Sequence, residues 1–173
     1  MLMANQVSAY IDAANLSRGA DTLGIKVDYQ KLRTLIIGDR LPIAFYFYDC
    51  TQNKPGESKY FEKIKSFGYN LKLTKIHTYN GQELKQKKTD TQMVADSIID
   101  GIVIKRMDIA VFCTGDKDIL PAMEYLLNYG VKVEIMSFEH CLAWDLKKCG
   151  ATIINLTSIK DQIKRWLLGF GDE

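Results

Sequence analysis

Asp108-Ile109-Ala110-Val111-Phe112-Cys113-Thr114-Gly115-Asp116-Lys117-Asp118 is the stretch whose reading decides the fold. Its apolar run, Ile109 to Cys113, is short and rich in strand formers, as expected of a buried strand in a parallel sheet. Thr114-Gly115 ends the run, two carboxylates follow one residue apart, and Ile119-Leu120-Pro121-Ala122 opens a helical pattern. A strand that turns through glycine into a helix puts Asp116 and Asp118 at the strand's carboxyl end. In open α/β sheets that edge is where ligands bind. Folding alone does not require two acids there.

The rest of the chain sets bounds on that reading. Its 173 residues suit one domain over 1–173, with a core over about 6–157 and a final helix over about 158–168. A hydrophobic fraction of 47% and a charged fraction of 25% are those of a globular protein in water. The net charge of +2 excludes a strong overall field toward nucleic acid, so any such binding must use a local patch. No apolar run approaches a membrane span, and Met1-Leu-Met-Ala-Asn-Gln6 lacks the marks of a signal peptide. Cys50, Cys113, Cys141 and Cys149 form no C-x-x-C pair, which argues against a disulfide framework or zinc site and for a reducing cytoplasm.

Val7 to Ile11 reads as a first strand ending on Asp12, with Ala13-Ala14-Asn15-Leu16 as a turn. Asp28 heads a helical pattern to Ile37. Pro42 to Tyr48 is an aromatic, branched strand ending in Asp49. Glu57 to Phe67 is an amphipathic helix closed by Gly68. Asn70 to Ile76 alternates, as a strand near a sheet edge does. Residues 77–88 form a loop or short hairpin carrying Lys85, Lys87 and Lys88. Thr89 resembles the N-cap of a long helix, with Gln92 completing a capping box. After the strand at 109–113 come a helix from Leu120 to Tyr129, a strand from Val131 to Met136, a short helix from Leu142 to Lys148, a strand from Thr152 to Leu156 and a helix from Ser158 to Leu168. Trp144 and Trp166 fall at helical positions as packing residues, and Phe45 to Tyr48 belong to the core strand.

Strands alternating with helices imply a three-layer α/β/α fold with a central, mostly parallel sheet of five to six strands in Rossmann-type winding. In the common order 3-2-1-4-5-6, strands 1 and 4 are neighbours where the winding reverses. Those strands end in Asp12 and in Asp116/Asp118, and the helix that starts near Asp90 enters from the same edge. Carboxylates crowded in one crevice repel one another unless a cation neutralises them. Mg2+ or Mn2+ suits such oxygen ligands and supports phosphoryl displacement. Asn15 could orient a phosphate or water, and the lysines before Asp90 could form a phosphate rim.

Three separated motifs carry a resemblance: Ile11-Asp12-x-x-Asn15, Lys87-x-x-Asp90-x-x-x-x-x-Asp96, and Thr114-Gly115-Asp116-x-Asp118-x-x-Pro121. Together they resemble the NYN domain, a branch of the PIN-like nuclease superfamily, and within it the bacterial LabA-like proteins. The resemblance spans nearly the whole chain. It implies a PIN-like fold and metal-dependent cleavage of RNA, single-stranded or structured. Asp12, Asp90, Asp116 and Asp118 would hold Mg2+ or Mn2+, with Asn15 as the polar residue after strand 1. Asn15, Lys87, Lys88, Thr114 and Lys117 would meet the substrate. Asp96 also matches a family acid, although six residues past Asp90 is 600° of helix, so it points about 120° away. The family often has glycine where this chain has Lys88, which bears on the shape of the substrate rim.

Each residue also has a plainer reading. Asp12 could be a turn residue or helix cap, Asp90 a carboxylate favoured by the helix dipole, Asp118 a cap and the lysines a solvated loop. Asp116 has the weakest such alternative, because Asp118 already supplies a cap. Jointly these readings would have to coincide at one crevice, so a site is favoured. His77 and His140 match no ligand or triad spacing. A haloacid-dehalogenase-like phosphatase would want an acid at Ala14; a phospho-receiver would want an Asp near Ile76-His77 and a lysine near Ser137-Phe138. No dinucleotide or P-loop motif is present. The leading expectation is a Mg2+- or Mn2+-dependent ribonuclease, and the alternative is an RNA-binding or regulatory module of the same fold with weak or no catalysis. No membrane association is expected, and the pattern is compatible with a homo-oligomer.

Overall fold

Along the first strand, β1 (Gln6–Asp12), alternate side chains go to opposite layers. Val7, Ala9 and Ile11 enter one core cluster, and Tyr10 enters the other. The strand β6 (Ile109–Cys113) divides likewise: Ile109, Val111 and Cys113 on one face, Ala110 and Phe112 on the other. Such period-two placement in strands with both faces apolar is what a sheet covered on both sides requires. A computed structural model describes residues 4–52, 54–79, 82–84 and 88–165, with the backbone alone for 77–79, 82–84 and 88.

The remaining sheet strands are β2 (Leu41–Thr51), β3 (Asn70–Lys75), β7 (Lys132–Ser137) and β8 (Thr152–Asn155). A small antiparallel pair, β4 (His77–Tyr79) with β5 (Gln82–Leu84), stands apart. The six-stranded sheet has the order β3-β2-β1-β6-β7-β8, and every neighbouring pair in it is parallel. Counting only its own strands, this is the doubly wound order expected from the sequence. β3 lies at an edge, as its alternating pattern suggested.

Helices cover both faces: α1 (Ala13–Thr22), α2 (Tyr29–Ile37) and α3 (Glu57–Ser66) over one, α4 (Lys88–Ile98) and α5 (Leu120–Asn128) over the other. α6 (Lys160–Ile163) packs against α2. The result is a three-layer α/β/α architecture. Two aromatic groups fill the layers: Tyr10 stacked on Phe112 and Tyr46, and Phe47 edge-on against Tyr29 and Tyr69.

Several expectations are corrected. Ala13 to Leu16 is not a turn but the start of α1, because the Asp12 side chain accepts from the Asn15 N–H and begins a helix there. β2 runs on to Thr51, so Asp49 lies inside it. α4 starts at Lys88, which puts Thr89 in the first turn rather than before it; the Thr89 hydroxyl sits 3.8 Å from the Cys50 sulfur. The same helix widens into a π turn over Ile99–Val103. There Asp100 is buried and paired with Arg106 at 2.5 Å, and Tyr10 donates to it. Leu142 to Lys148 is not an α-helix; a 3₁₀ turn over Trp144–Lys148 follows another over Glu139–Cys141. Trp144 is not a packing residue: it is 65% exposed, with the Lys148 ammonium over its ring. Trp166 and the far end of the expected last helix lie outside the described residues.

Candidate functional site

Because β1 and β6 are parallel neighbours, Ile11 is level with Cys113, and the next residues of both strands emerge side by side. Two bonds cross that junction. The Thr114 hydroxyl donates to Asp12 Oδ2 at 2.9 Å, and the Gly115 N–H donates to Asn15 Oδ1 at 3.1 Å. Thr114 Oγ1 in turn accepts from the Asp116 N–H at 3.2 Å. Asp116 Oδ1 accepts from the Asp118 N–H at 3.0 Å, so Asp116, rather than Asp118, caps the 3₁₀ turn Lys117–Ile119. Asp116 thus has a structural duty that its plain sequence reading assigned to its neighbour.

Gly115 is needed where the chain turns. A Cβ there would lie 2.1 Å from the Cys141 carbonyl oxygen and 2.8 Å from Ser137 Oγ. Ala143 donates its N–H to the Gly115 carbonyl at 3.0 Å, so the segment after β7 is laced to the β6 turn. Gly19 of α1 meets Phe138 and Cys141 of that segment in the same close fashion.

Asp90, in the first turn of α4, approaches from the other face. Asp90, Asp116 and Asp118 each bring one carboxylate oxygen to within 4.8 Å of the others. Asp90 and Asp116 are half-buried and Asp118 is exposed. Asp12 is buried beside them, outside that three-oxygen group and joined to it through Thr114. Burial raises the Asp12 pKa, and the charge of Asp116 pushes it the same way. The bonds from Asn15 and Thr114, and the charge of Arg18, oppose the rise. A set of carboxylate oxygens with no thiolate or imidazole is the donor chemistry of a hard divalent cation, so the residues fit Mg2+ or Mn2+.

The other candidates are distributed differently. Thr114 is fully buried with its hydroxyl committed to Asp12, and Lys117 is exposed beside the acidic group. Asp96 accepts from the Tyr48 hydroxyl at 2.8 Å and from Gln92 Nε2 at 2.8 Å, and pairs with Lys72 at 3.2 Å. Its carboxylate serves the α4–sheet contact. Lys88 begins α4, and Lys87 lies outside the described residues.

Two charged residues near the site were not among the candidates. Arg18 is exposed on α1, its Nε donates to the Ala14 carbonyl at 3.2 Å, and its charge acts on Asp12 and Cys141. The signal for it was the spacing Asp12-x-x-Asn15-x-x-Arg18, legible only once the segment is taken as a helix, where residues three apart are neighbours. Asp49, near the end of β2, has a pKa raised first by burial and then by the charges of Asp12 and Glu57. The sequence showed it as a strand-ending acid, but nothing in it measured the distance to Asp12.

The NYN-domain family model matches residues 6–157. The chain belongs to the NYN-domain family. NYN domains fall within the nuclease-related, PIN-like superfamily, and the three-acid group of this NYN domain lies at the sheet edge expected of such a fold. A solved structure of a protein of unknown function from Vibrio parahaemolyticus RIMD 2210633 has a similar fold: the TM-score is 0.78 at 15% identity, covering 95% of this chain and 99% of that one. No curated protein matches this NYN domain. Among the described residues no helix is long and apolar enough to cross a membrane.

Proposed function

We propose that this NYN domain is a ribonuclease, cutting phosphodiester bonds within RNA with the help of Mg2+ or Mn2+. The observation that carries the reading is the approach of Asp90, Asp116 and Asp118 to within 4.8 Å beside buried Asp12. These carboxylates would hold the ion, which when bound would supply an activated water and charge neutralisation at the phosphate.

The chain's own polar groups then have distinct tasks. Asn15 Oδ1 is taken by the Gly115 N–H, so its Nδ2 is the atom left to donate to a phosphate oxygen. Thr114 is a positioning residue, since it holds the Asp12 carboxylate in place. Arg18 and Lys117, both exposed, flank the acids and can bind the phosphates on either side of the cut. Lys87 and Lys88 extend that rim in the same reading, and Asp96 steadies α4 through Tyr48 and Lys72. The motif-based LabA-like placement, a single domain over 1–173 and a cytoplasmic setting accompany this proposal.

Cleavage of an end-labelled single-stranded RNA tests it, with Mn2+ or Mg2+ against EDTA, for wild type and Asp116→Asn. Metal-dependent cleavage that disappears in the variant is expected. RNA binding without cleavage under any metal would replace the nuclease with an RNA-binding module, and absence of both would overturn the nucleic-acid reading.

A further inference from the structure

We propose that the pocket between α1, α2 and α3 is a nucleotide subsite in which a base of the RNA strand stacks on Tyr60. For the class of its ligand the inference rests on the ribonuclease reading above. The pocket itself is a separate feature, on the face of the sheet opposite α4.

Its volume is about 420 Å³, in the range of small-molecule sites. Tyr60, in the first turn of α3, forms part of its wall and is 40% exposed. The ring is held from one side only. It packs on Phe61 at 5.2 Å and edge-on against Phe47 at 6.4 Å between centroids. The Tyr29 hydroxyl, in the same wall, lies 3.4 Å from the Ser17 hydroxyl. A fixed aromatic ring with an open side is the feature that base stacking uses, in a sequence-tolerant way.

The polar lining matches the rest of a nucleotide. Gln30 and Ser17, both exposed at the pocket, offer an amide and a hydroxyl that can meet base or ribose edges. Lys63 and Arg165 stand at the same pocket and form no ion pair among the described residues. Lys26, also there, is neutralised by Asp21 at 2.5 Å. Asp28 also lines the pocket, with its carboxylate engaged by the Gln30 and Lys31 N–H groups, so the pocket presents an excess of one cation, suited to a phosphate. On a chain of net charge +2 such local cations are what a polyanion must use.

The pocket and the acidic crevice share an electrostatic neighbour. The charge of Asp49 acts both on Asp12 of the crevice and on Tyr60 of the pocket. Ser17 lies on the helix that Asp12 caps, and Asn15 of the crevice is two residues before it.

The test is titration of the whole chain, in EDTA, with adenosine and uridine 5′-monophosphates, followed by NMR shifts of the aromatic resonances, alongside cleavage kinetics on an RNA oligomer with Mn2+. Tyr60→Ala is expected to weaken nucleotide binding by about tenfold, and to raise KM for RNA by a similar factor, more than it lowers kcat. Tyr60→Phe should restore both toward wild type, because it keeps the ring. Lys63→Glu, at an exposed position that tolerates substitution, should weaken binding with an intact unfolding transition, and it carries the test should Tyr60→Ala fail to fold. Nucleotide binding unaltered by Tyr60→Ala and Lys63→Glu, or no nucleotide binding by wild type at millimolar concentration, would overturn the subsite. If wild type binds nucleotide through Tyr60 but cuts no RNA, the subsite stands and the nuclease falls; cleavage with a KM indifferent to Tyr60 gives the reverse.

Discussion

The Thr114 hydroxyl donates to Asp12 Oδ2 across the β1–β6 junction, 102 residues apart in sequence and 2.9 Å apart in space. Both side chains are buried, so this bond partly compensates a carboxylate that burial disfavours. Replacing the hydroxyl by a methyl leaves a buried acceptor short of a partner. Thr114→Val is expected to lower unfolding free energy by about 1–3 kcal/mol, measured by urea denaturation in EDTA. Thr114→Ser, which keeps the donor, should lose less; equal losses would show that the methyl contact counts for as much as the hydrogen bond.

Removing the cation separates the acidic group from the rest of the fold. A ligand that binds only the folded state adds RT ln(1 + [L]/Kd), about 2.7 kcal/mol at a hundredfold excess over Kd. Mn2+ is therefore expected to raise the thermal midpoint of wild type and to leave Asp116→Asn or Asp118→Asn nearly unmoved. Without metal, those variants should be at least as stable as wild type, since each relieves repulsion among Asp90, Asp116 and Asp118. A midpoint that Mn2+ shifts equally in all of them would place binding elsewhere.

Asp49 sets a pH dependence. Burial, with the charges of Asp12 and Glu57, raises its pKa in the folded state. The folded chain thus holds this proton more tightly than the unfolded chain, whose Asp titrates near the usual value of about 3.9. The stability it contributes is present below that pH and is lost as the pH rises through the raised folded value. Asp49→Asn keeps an oxygen for the Cys50 N–H, bonded at 2.7 Å in wild type. It should be more stable than wild type at pH 7, with the gap shrinking as pH falls toward 4. Denaturation curves across that range check the sign, and a gap that widens on acidification would refute it.

Gly115 tests the lacing of the site. Its Cβ position is occupied by the Cys141 carbonyl, which is backbone and cannot rotate away. Gly115→Ala is expected to cost about 1–3 kcal/mol and to displace Asn15, which accepts the Gly115 N–H. Chemical shifts of Asn15 and Cys141 would report the displacement; an unperturbed spectrum with wild-type stability would contradict the close approach.

Much of this fold was legible in the chain before any coordinates. The unbroken apolar run at Ile109–Cys113, and the run at Val7–Ile11 interrupted only by the small Ser8, mark strands buried on both faces, because a sheet covered on both sides leaves little room on its strands for polar groups. Alternation with helices then yields the doubly wound order, and the carboxyl ends of strands 1 and 4 follow as neighbours. Asp12, Asn15, Asp90, Asp116 and Asp118 were named from that reasoning and the motif resemblance. Local misreadings came where two patterns compete. Ala13–Leu16 reads as a turn after a strand until the Asp12 cap makes it a helix, and Leu142–Lys148 has helical formers that give only 3₁₀ geometry.

By itself, then, the sequence determined the class of fold, the edge of the sheet on which the acids stand and the oxygen chemistry they share, since period and composition are local properties. Tertiary structure alone decided which acids meet. It brought Asp90 to Asp116 and Asp118, turned Asp96 to Tyr48 and Lys72, buried Asp12 under the Thr114 hydroxyl and let the charge of Asp49 act on both Asp12 and Tyr60. The reason is that spacing along a chain gives the direction of a side chain only within its own element. The distance between side chains on different elements depends on how those elements pack, here on contacts as specific as Gly115 against the Cys141 carbonyl.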